Sequence, residues 1–286
     1  MAIENTVEEA PAGAVDWASL AGGNAASHPL YPLFYPRSVA VVGASPKGGY
    51  GLRVVDALKA FGFAGPIYPV NPNYDEIAGL ETYPEIGAIP EPVDAVAIAV
   101  PSRAVPGVVR QAIDAGAKSG IAFGSGFAEA GEDGQALQAE LRALCGDRFP
   151  LIGPNCLGMM NYLGDAALWS IPIGKPRHDG TVGLVAQSGN MALTLMSSSR
   201  GLRLAHSVSA GNQAVVDAVD VMSFFLAEPN VRVIAAVIEG LSDVAKFRRI
   251  AAQAAERDVP IVALKLGRSE KASQAAVAHT GSLTGS

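Results

Sequence analysis

The chain has 286 residues, of which 49% are hydrophobic and 17% charged, with 32 Gly, 19 Pro and a formal net charge of -6. That length suits two ordinary domains, and the composition suits compact α/β units with buried parallel strands and many tight turns. The acidic balance and the lack of a Lys/Arg run argue against a nucleic-acid surface, and no apolar stretch reaches the ~20 residues a membrane-spanning helix needs.

Residues 1–30 are rich in Ala, Gly, Glu and Asn without a sustained period, which predicts a flexible leader with at most a short helix around Trp17. This opening is not basic and then apolar, so it does not read as a signal peptide. With only Cys145 and Cys156, the protein reads as reduced and cytoplasmic. From Ser38 onward, short β-branched runs alternate with helical patterns, the rhythm of βαβ units in a parallel sheet. The first set of strands is expected at Ser38–Val42, Pro66–Val70, Ala95–Val100, Gly120–Phe123 and Leu151–Ile152. A helix over Val105–Ala115 repeats Val105, Val108, Val109, Ala112 and Ile113 on one face and stops at Gly116. The Pro/Gly-rich stretch between Ile171 and Gly180 has no face to bury and marks a boundary, giving domains at 31–172 and 180–286. The second set of strands is expected at Val182–Ala186, Leu204–Ser207, Val233–Ile238 and Pro260–Leu264. Ser242 or Asp243 would cap a helix burying Val244, Phe247, Ile250, Ala251 and Ala254. After Gly267 the composition turns to Ser, Ala, Thr and Gly, and the chain reads as cut short.

The segment from Val41 to Gly51 joins the first strand to a helix, and open α/β sheets bind ligands at such carboxyl ends. Small residues let the backbone approach a phosphate, the helix N-terminus adds partial positive charge and Lys47 adds a full one. A bare glycine turn is the alternative. The glycines miss the Gly-x-Gly-x-x-Gly spacing, and Asn71 stands where an acidic residue would accept the ribose hydroxyls of NAD, so NAD is disfavoured.

At this point the run Phe34–Ser45 resembles the opening of NDP-forming acyl-CoA synthetases, with succinyl-CoA synthetase α subunits as more distant relatives. The resemblance continues in order through Tyr68–Pro72, Val93–Pro101, Gly124–Phe127, Gly153–Cys156, Gln187–Gly189, Gly211–Gln213 and His279–Gly281. It implies a Rossmann-like CoA-binding domain followed by a flavodoxin-like, succinyl-CoA-synthetase-type domain, both with parallel sheets. It further implies that Gly43, Ser45, Lys47, Gly48 and Gly51 line the phosphate end of CoA. Val70, Asn71, Val100, Pro101, Ser125 and Asn155 would flank its adenine, ribose and pantetheine.

By composition His279 would be a solvated side chain in a small-residue loop; by resemblance it is the phosphorylated histidine of the family. A neutral imidazole nitrogen is a competent nucleophile near pH 7 and can relay a phosphoryl group. The matching orienting carboxylate is Glu239, otherwise a surface carboxylate, and Gln187, Ser188, Gly189 and Asn190 offer backbone N–H groups at a helix start for the phosphoryl oxygens. Cys156 reads as a packed small hydrophobe rather than a nucleophile, since no base pattern lies near it. His28, His178 and His206 read as structural. No metal site is expected. Nothing resembles the family's ATP-grasp region, so ATP or ADP with Mg would bind on a following region or a partner subunit. A small carboxylic acid and CoA would be the substrates, and self-association is compatible with this reading. The rival is a non-catalytic CoA- or nucleotide-binding regulatory module.

Overall fold

The computed structural model describes residues 23–172, 179–198 and 200–267. A short helix α1 (Tyr31–Phe34) leads into β1 (Val39–Val42), helix α2 (Tyr50–Phe61) and β2 (Ile67–Val70). A small hairpin of β3 (Glu76–Ile77) and β4 (Leu80–Glu81) follows, then β5 (Ala95–Ile98), α3 (Val105–Asp114), β6 (Ser119–Ala122), α4 (Glu132–Cys145) and β7 (Leu151–Ile152). The first sheet is all parallel in the order β2-β1-β5-β6-β7. Its register places Val42 opposite both Val70 and Ile98, and Ile98 opposite Ala122, so the loops carrying the predicted ligand residues all leave from one edge. The strands are buried on both faces, which is why they read as unbroken apolar runs.

A second sheet follows the order β13-β12-β10-β11-β8-β9. Its parallel part comprises β10 (Val182–Ala186), β11 (Leu204–Ser209), β12 (Val233–Ile238) and β13 (Ile261–Lys265), with helices α5 (Gly189–Met196), α6 (Ala218–Ala227) and α7 (Val244–Glu256) between them. Asp243 caps α7 by accepting from the Lys246 N–H at 2.8 Å, and Ile250 and Ala254 are buried as expected, whereas Val244 is exposed. A hairpin of β8 (Gly158–Asn161) and β9 (Ala166–Trp169) extends this sheet antiparallel to β11.

That hairpin corrects one expectation: the second sheet is mixed rather than wholly parallel, and two of its strands precede the Pro/Gly stretch. Composition marked the Pro/Gly stretch because it has no face to bury, but backbone pairing rather than composition decides which sheet a strand joins. The Asn24–Leu30 part of the expected flexible leader is seated in the structure. Asn24 caps a single turn at Ala25–Ser27, and Ala25, His28 and Leu30 are buried. Trp17 and His178 lie outside the described residues.

The two sheets share their packing. Helix α2 lies between β1 and β9, and its Phe61 joins a cluster with Met160, Trp169 and Leu184. Phe34 of α1 stacks on Phe224 of α6 with ring centroids 4.1 Å apart. All ten residues of α6 are buried, and Asp217 and Asp220 form its capping box.

His28 shows how closely the first described segment is seated. Its Nδ1 accepts from the Leu30 N–H at 3.2 Å, which assigns the proton to Nε2, 3.0 Å from the Ser223 Oγ. Burial pushes its pKa down to about 4. The unfolded chain, titrating near 6.5, then binds the extra proton first, so stability falls as pH drops from about 6.5 towards about 4. Burial lowers the pKa of His206 as well, adding to the same slope. We expect His28 to remove about 2 kcal/mol of unfolding free energy between pH 7 and pH 5. His28→Gln should flatten that loss; an unchanged slope in urea titrations at the two pH values would refute the assignment.

Candidate functional site

After β1 the chain turns at Gly43, whose φ of +85° is left-handed and where a Cβ would lie 2.4 Å from the Ala99 carbonyl oxygen. Only glycine lets the loop cross the end of β5 here. A Cβ on Gly51 would meet Ala44 Cα at 2.6 Å, so the missing side chain allows α2 to press against the loop. Between them, Gly48 and Gly49 have φ of +102° and +98° with open space beside them, and α2 starts without a side-chain cap. The first-turn N–H groups of α2 are thereby available to an anion, next to the exposed Lys47. The Ser45 Oγ accepts from the Lys47 N–H at 3.2 Å and shapes the turn. Asn71 donates from Nδ2 to the Ala44 carbonyl at 2.8 Å and pins the loop from β2. Val70 ends β2, and Val100 and Pro101 follow β5 along the same edge.

Further along the edge, a cavity of about 170 Å³ opens between the two sheets. The first unit supplies Tyr50, Phe123, Ser125, Asn155, Cys156 and Leu157; the second supplies Gln187, Gly189, Asn190 and Gly211. Tyr50 is the first residue of α2, and Gly189 and Asn190 are the first two of α5, so two helix starts from different sheets meet at one hollow. Ser188, at the N-cap of α5, likewise makes no side-chain capping bond. Both ends favour negative charge.

Beside the cavity the loops Gly153–Asn155 and Gly211–Gln213 are joined to each other. The Asn212 N–H donates to the Pro154 carbonyl and the Ala214 N–H to that of Gly153, each at 2.9 Å, while a Cβ on Gly211 would sit 2.3 Å from the Pro154 oxygen. Asn155, at φ +57°, donates from Nδ2 to the Asn212 Oδ1 at 3.2 Å. Asn212 in turn donates to the Glu129 carboxylate, whose other oxygen accepts from the Gly126 N–H at 2.6 Å. Burial acts to raise the pKa of Glu129, but these donors outweigh it and hold the carboxyl below its usual range.

Gln187 does not aim its amide at the cavity. Its Oε1 accepts from the N–H groups of Glu239, at 2.6 Å, and Gly240, at 2.9 Å, and its Nε2 donates to the Gly240 carbonyl at 2.6 Å and to the Gln213 Oε1 at 3.2 Å. Lys265 adds a bond from Nζ to the Glu239 carbonyl at 2.8 Å. The backbone of Glu239 is thus fixed from two strands. Its side chain is buried, and its Oε2 has no hydrogen-bond partner among the described residues, leaving an acceptor that demands a donor. His279 lies outside the described residues.

Cys156 is buried, donates to the Ala122 carbonyl at 3.3 Å and has its pKa pushed up to about 12 by burial, so it packs as a neutral thiol. Of the predicted residues, the structure brings Ser125, Asn155, Gln187, Gly189 and Asn190 into the cavity. It spreads Gly43, Ser45, Lys47, Gly48, Gly51, Val70, Asn71, Val100 and Pro101 along the adjoining edge. Sequence reasoning missed Tyr50, Phe123, Leu157 and Glu129. Tyr50 was signalled by its place at a helix start, but Phe123 and Leu157 look like any core residue.

Residues 37–162 match the CoA binding domain, and residues 179–286 match the succinyl-CoA ligase like flavodoxin domain. The trans-feruloyl-CoA synthase FCS1 of an unknown prokaryotic organism is 37% identical over 260 residues, covering 88% of this chain and 37% of that protein. The ADP-forming acetate-CoA ligase I subunit alpha of Pyrococcus furiosus is 35% identical, covering 90% of this chain and 57% of that one. Acetyl-coenzyme A synthetase 1 of Ca. Korarchaeum cryptofilum, solved in complex with phosphate and ADP, superposes with a TM-score of 0.82 at 34% identity, covering 90% of this chain and 56% of that one. The chain therefore spans 37% to 57% of the length of these curated relatives. Fold and matches define a CoA-binding unit joined to a succinyl-CoA-ligase-type flavodoxin unit. The chain carries these two domains in succession and is similar over 89–90% of its length to ADP-forming acetate-CoA ligases.

Replacing Gln187 by Leu leaves the buried N–H groups of Glu239 and Gly240 without an acceptor, which should cost about 2–4 kcal/mol in chemical denaturation. A loss below about 0.5 kcal/mol would show that the amide is dispensable.

Proposed function

We propose that this chain is the CoA-binding, phosphohistidine-bearing portion of an NDP-forming acyl-CoA synthetase, which converts a small carboxylic acid, CoA and a nucleoside triphosphate reversibly into acyl-CoA, nucleoside diphosphate and phosphate. The observation that carries this reading is the pair of uncapped helix starts opening on one cavity, one of whose lining residues, Gln187, holds the backbone of Glu239, a buried residue whose Oε2 has no hydrogen-bond partner among the described residues. Two separate anionic groups must be handled in such a reaction, the phosphates of CoA and the transferred phosphoryl group. A helix start on each sheet suits one each.

In this reading Gly43, Ser45, Lys47, Gly48 and Gly51 cradle the CoA phosphates. Val70, Asn71, Val100, Pro101, Ser125 and Asn155 lead the nucleoside and pantetheine along the edge to the cavity, Asn71 acting through the loop it pins. The backbone at Ser188, Gly189 and Asn190 holds the phosphoryl oxygens, and Gln187 positions Glu239. Glu239 accepts from one ring nitrogen of His279, which leaves the lone pair of the other free to attack.

The bond changes balance in three steps. A His279 nitrogen takes the terminal phosphoryl group and NDP leaves. A carboxylate oxygen then attacks that phosphorus, giving acyl phosphate and free imidazole. Finally the CoA sulfur attacks the acyl carbon, the carbon–oxygen bond to phosphate breaks, and the thiol proton passes to solvent. Nucleotide and Mg belong to an ATP-grasp region or partner subunit. The naming of the Pyrococcus relative as a subunit alpha and the ADP and phosphate in the Korarchaeum structure support that division.

Calorimetric titration should give stoichiometric CoA binding that NAD does not displace, weakened about tenfold in Lys47→Ala. CoA binding that NAD displaces, or none by folded protein, would overturn the reading of the first unit. Labelled acetyl phosphate should place an acid-labile, base-stable phosphoryl group on the chain and none on His279→Asn. Equal labelling of the variant would overturn the relay.

A further inference from the structure

Resting on the reading above, we infer that Glu129 and Asn212 are positioning residues for CoA: they turn the Asn155 amide so that its oxygen, rather than its NH2 group, is offered to the cavity and accepts from an amide N–H of the pantetheine arm.

The hydrogen bonds that fix this direction begin at groups with no choice of role. Glu129 lies in the turn after β6, and its Oε1 accepts from the backbone N–H groups of Gly126, at 2.6 Å, and Phe127, at 3.3 Å. Burial works to raise its pKa, but the donors hold it below the usual range, so at neutral pH both oxygens can only accept. Asn212 meets the second oxygen and must therefore offer its NH2 group. A second anchor agrees. The Gln138 Oε1, on α4, accepts from the Ala128 N–H at 3.3 Å, which identifies that end of the Gln138 amide as its oxygen, and the same atom accepts from the Asn212 Nδ2 at 3.2 Å. With its NH2 group held by two acceptors, the buried Asn212 turns its Oδ1 to Asn155, which donates to it from Nδ2 at 3.2 Å.

Donor and acceptor order passes in this way from a carboxylate through one amide to the next, over segments that follow β6, β11 and β7. The two ends of an asparagine amide are almost alike in shape, so its neighbours decide which end faces a ligand. Asn155 lines the cavity, and its backbone is held at φ +57° with its N–H donating to the Gly124 carbonyl at 2.9 Å. Because its Nδ2 is committed to Asn212, the end left for a ligand is the Oδ1 acceptor. The pantetheine arm carries amide N–H groups that such an acceptor serves. An NH2 group in the same place would set donor against donor and leave a desolvated N–H unpaired.

The test compares CoA with adenosine 3′,5′-bisphosphate, which lacks the pantetheine arm, by calorimetry on the full chain. Glu129→Gln keeps the side chain's size and an acceptor for Gly126, but it sets an NH2 group against that of Asn212. We expect this variant to bind CoA about tenfold more weakly while holding adenosine 3′,5′-bisphosphate within about twofold of the unaltered chain, a split that a general loosening of the fold would not produce. The double variant Glu129→Gln with Asn212→Asp reverses the direction of the first bond and again gives Asn155 an acceptor. CoA should return to within about threefold of its original affinity. Equal weakening of both ligands by Glu129→Gln, undiminished CoA binding, or no recovery in the double variant would overturn the inference and leave the synthetase reading standing. Failure of the unaltered, folded chain to bind CoA would bring down both.

Discussion

The arrangement of this molecule rests on the contact between the loops Gly153–Asn155 and Gly211–Gln213. One loop ends the first sheet and the other follows β11 of the second, and they meet through paired backbone hydrogen bonds at a distance only a glycine permits. Were Gly211 to carry a Cβ, two carbonyl oxygens would have to move, and with them the separation of the sheets. Because that separation is set by backbone rather than by long side chains, the starts of α2 and α5 face one cavity at a defined spacing.

Around this contact the polar groups form a closed accounting. Asn212 links Asn155 to Glu129, Glu129 secures the turn at Gly126, and Gln213 receives both the Gln187 amide and the N–H that opens α6. Gln213 holds a φ of +56°, costly for a residue with a Cβ, and is kept there by these bonds. Among the described residues the Glu239 Oε2 has no hydrogen-bond partner. Its backbone is anchored by Gln187 and Lys265 while its carboxylate remains available, the division of labour expected of a group that must be placed before its partner arrives.

Much of this was legible in the sequence because parallel strands buried on both faces leave continuous apolar runs, and their ends carry the motifs. The strands β1, β7, β10 and β12 fall within a residue of expectation for that reason. The β8–β9 hairpin was not legible as part of the second sheet. Partner choice is written in hydrogen bonds to β11, which local composition does not record. The Ala25–Leu30 segment looked mobile because few apolar residues suffice to seat it on α6. Within the site, glycines and amide side chains announced themselves by type. Phe123 and Leu157 did not, since a side chain facing a hollow and one facing a core obey the same pattern.

Helix α2 carries a consequence for how the protein holds together. It belongs in sequence to the first unit, yet its Phe61 sits among Met160, Trp169 and Leu184, and Phe34 just before β1 stacks on α6 of the second. Neither sheet keeps a complete core once the other is removed. The two separately matched units, residues 37–162 and 179–286, therefore share buried apolar surface that would be exposed to water if they were parted.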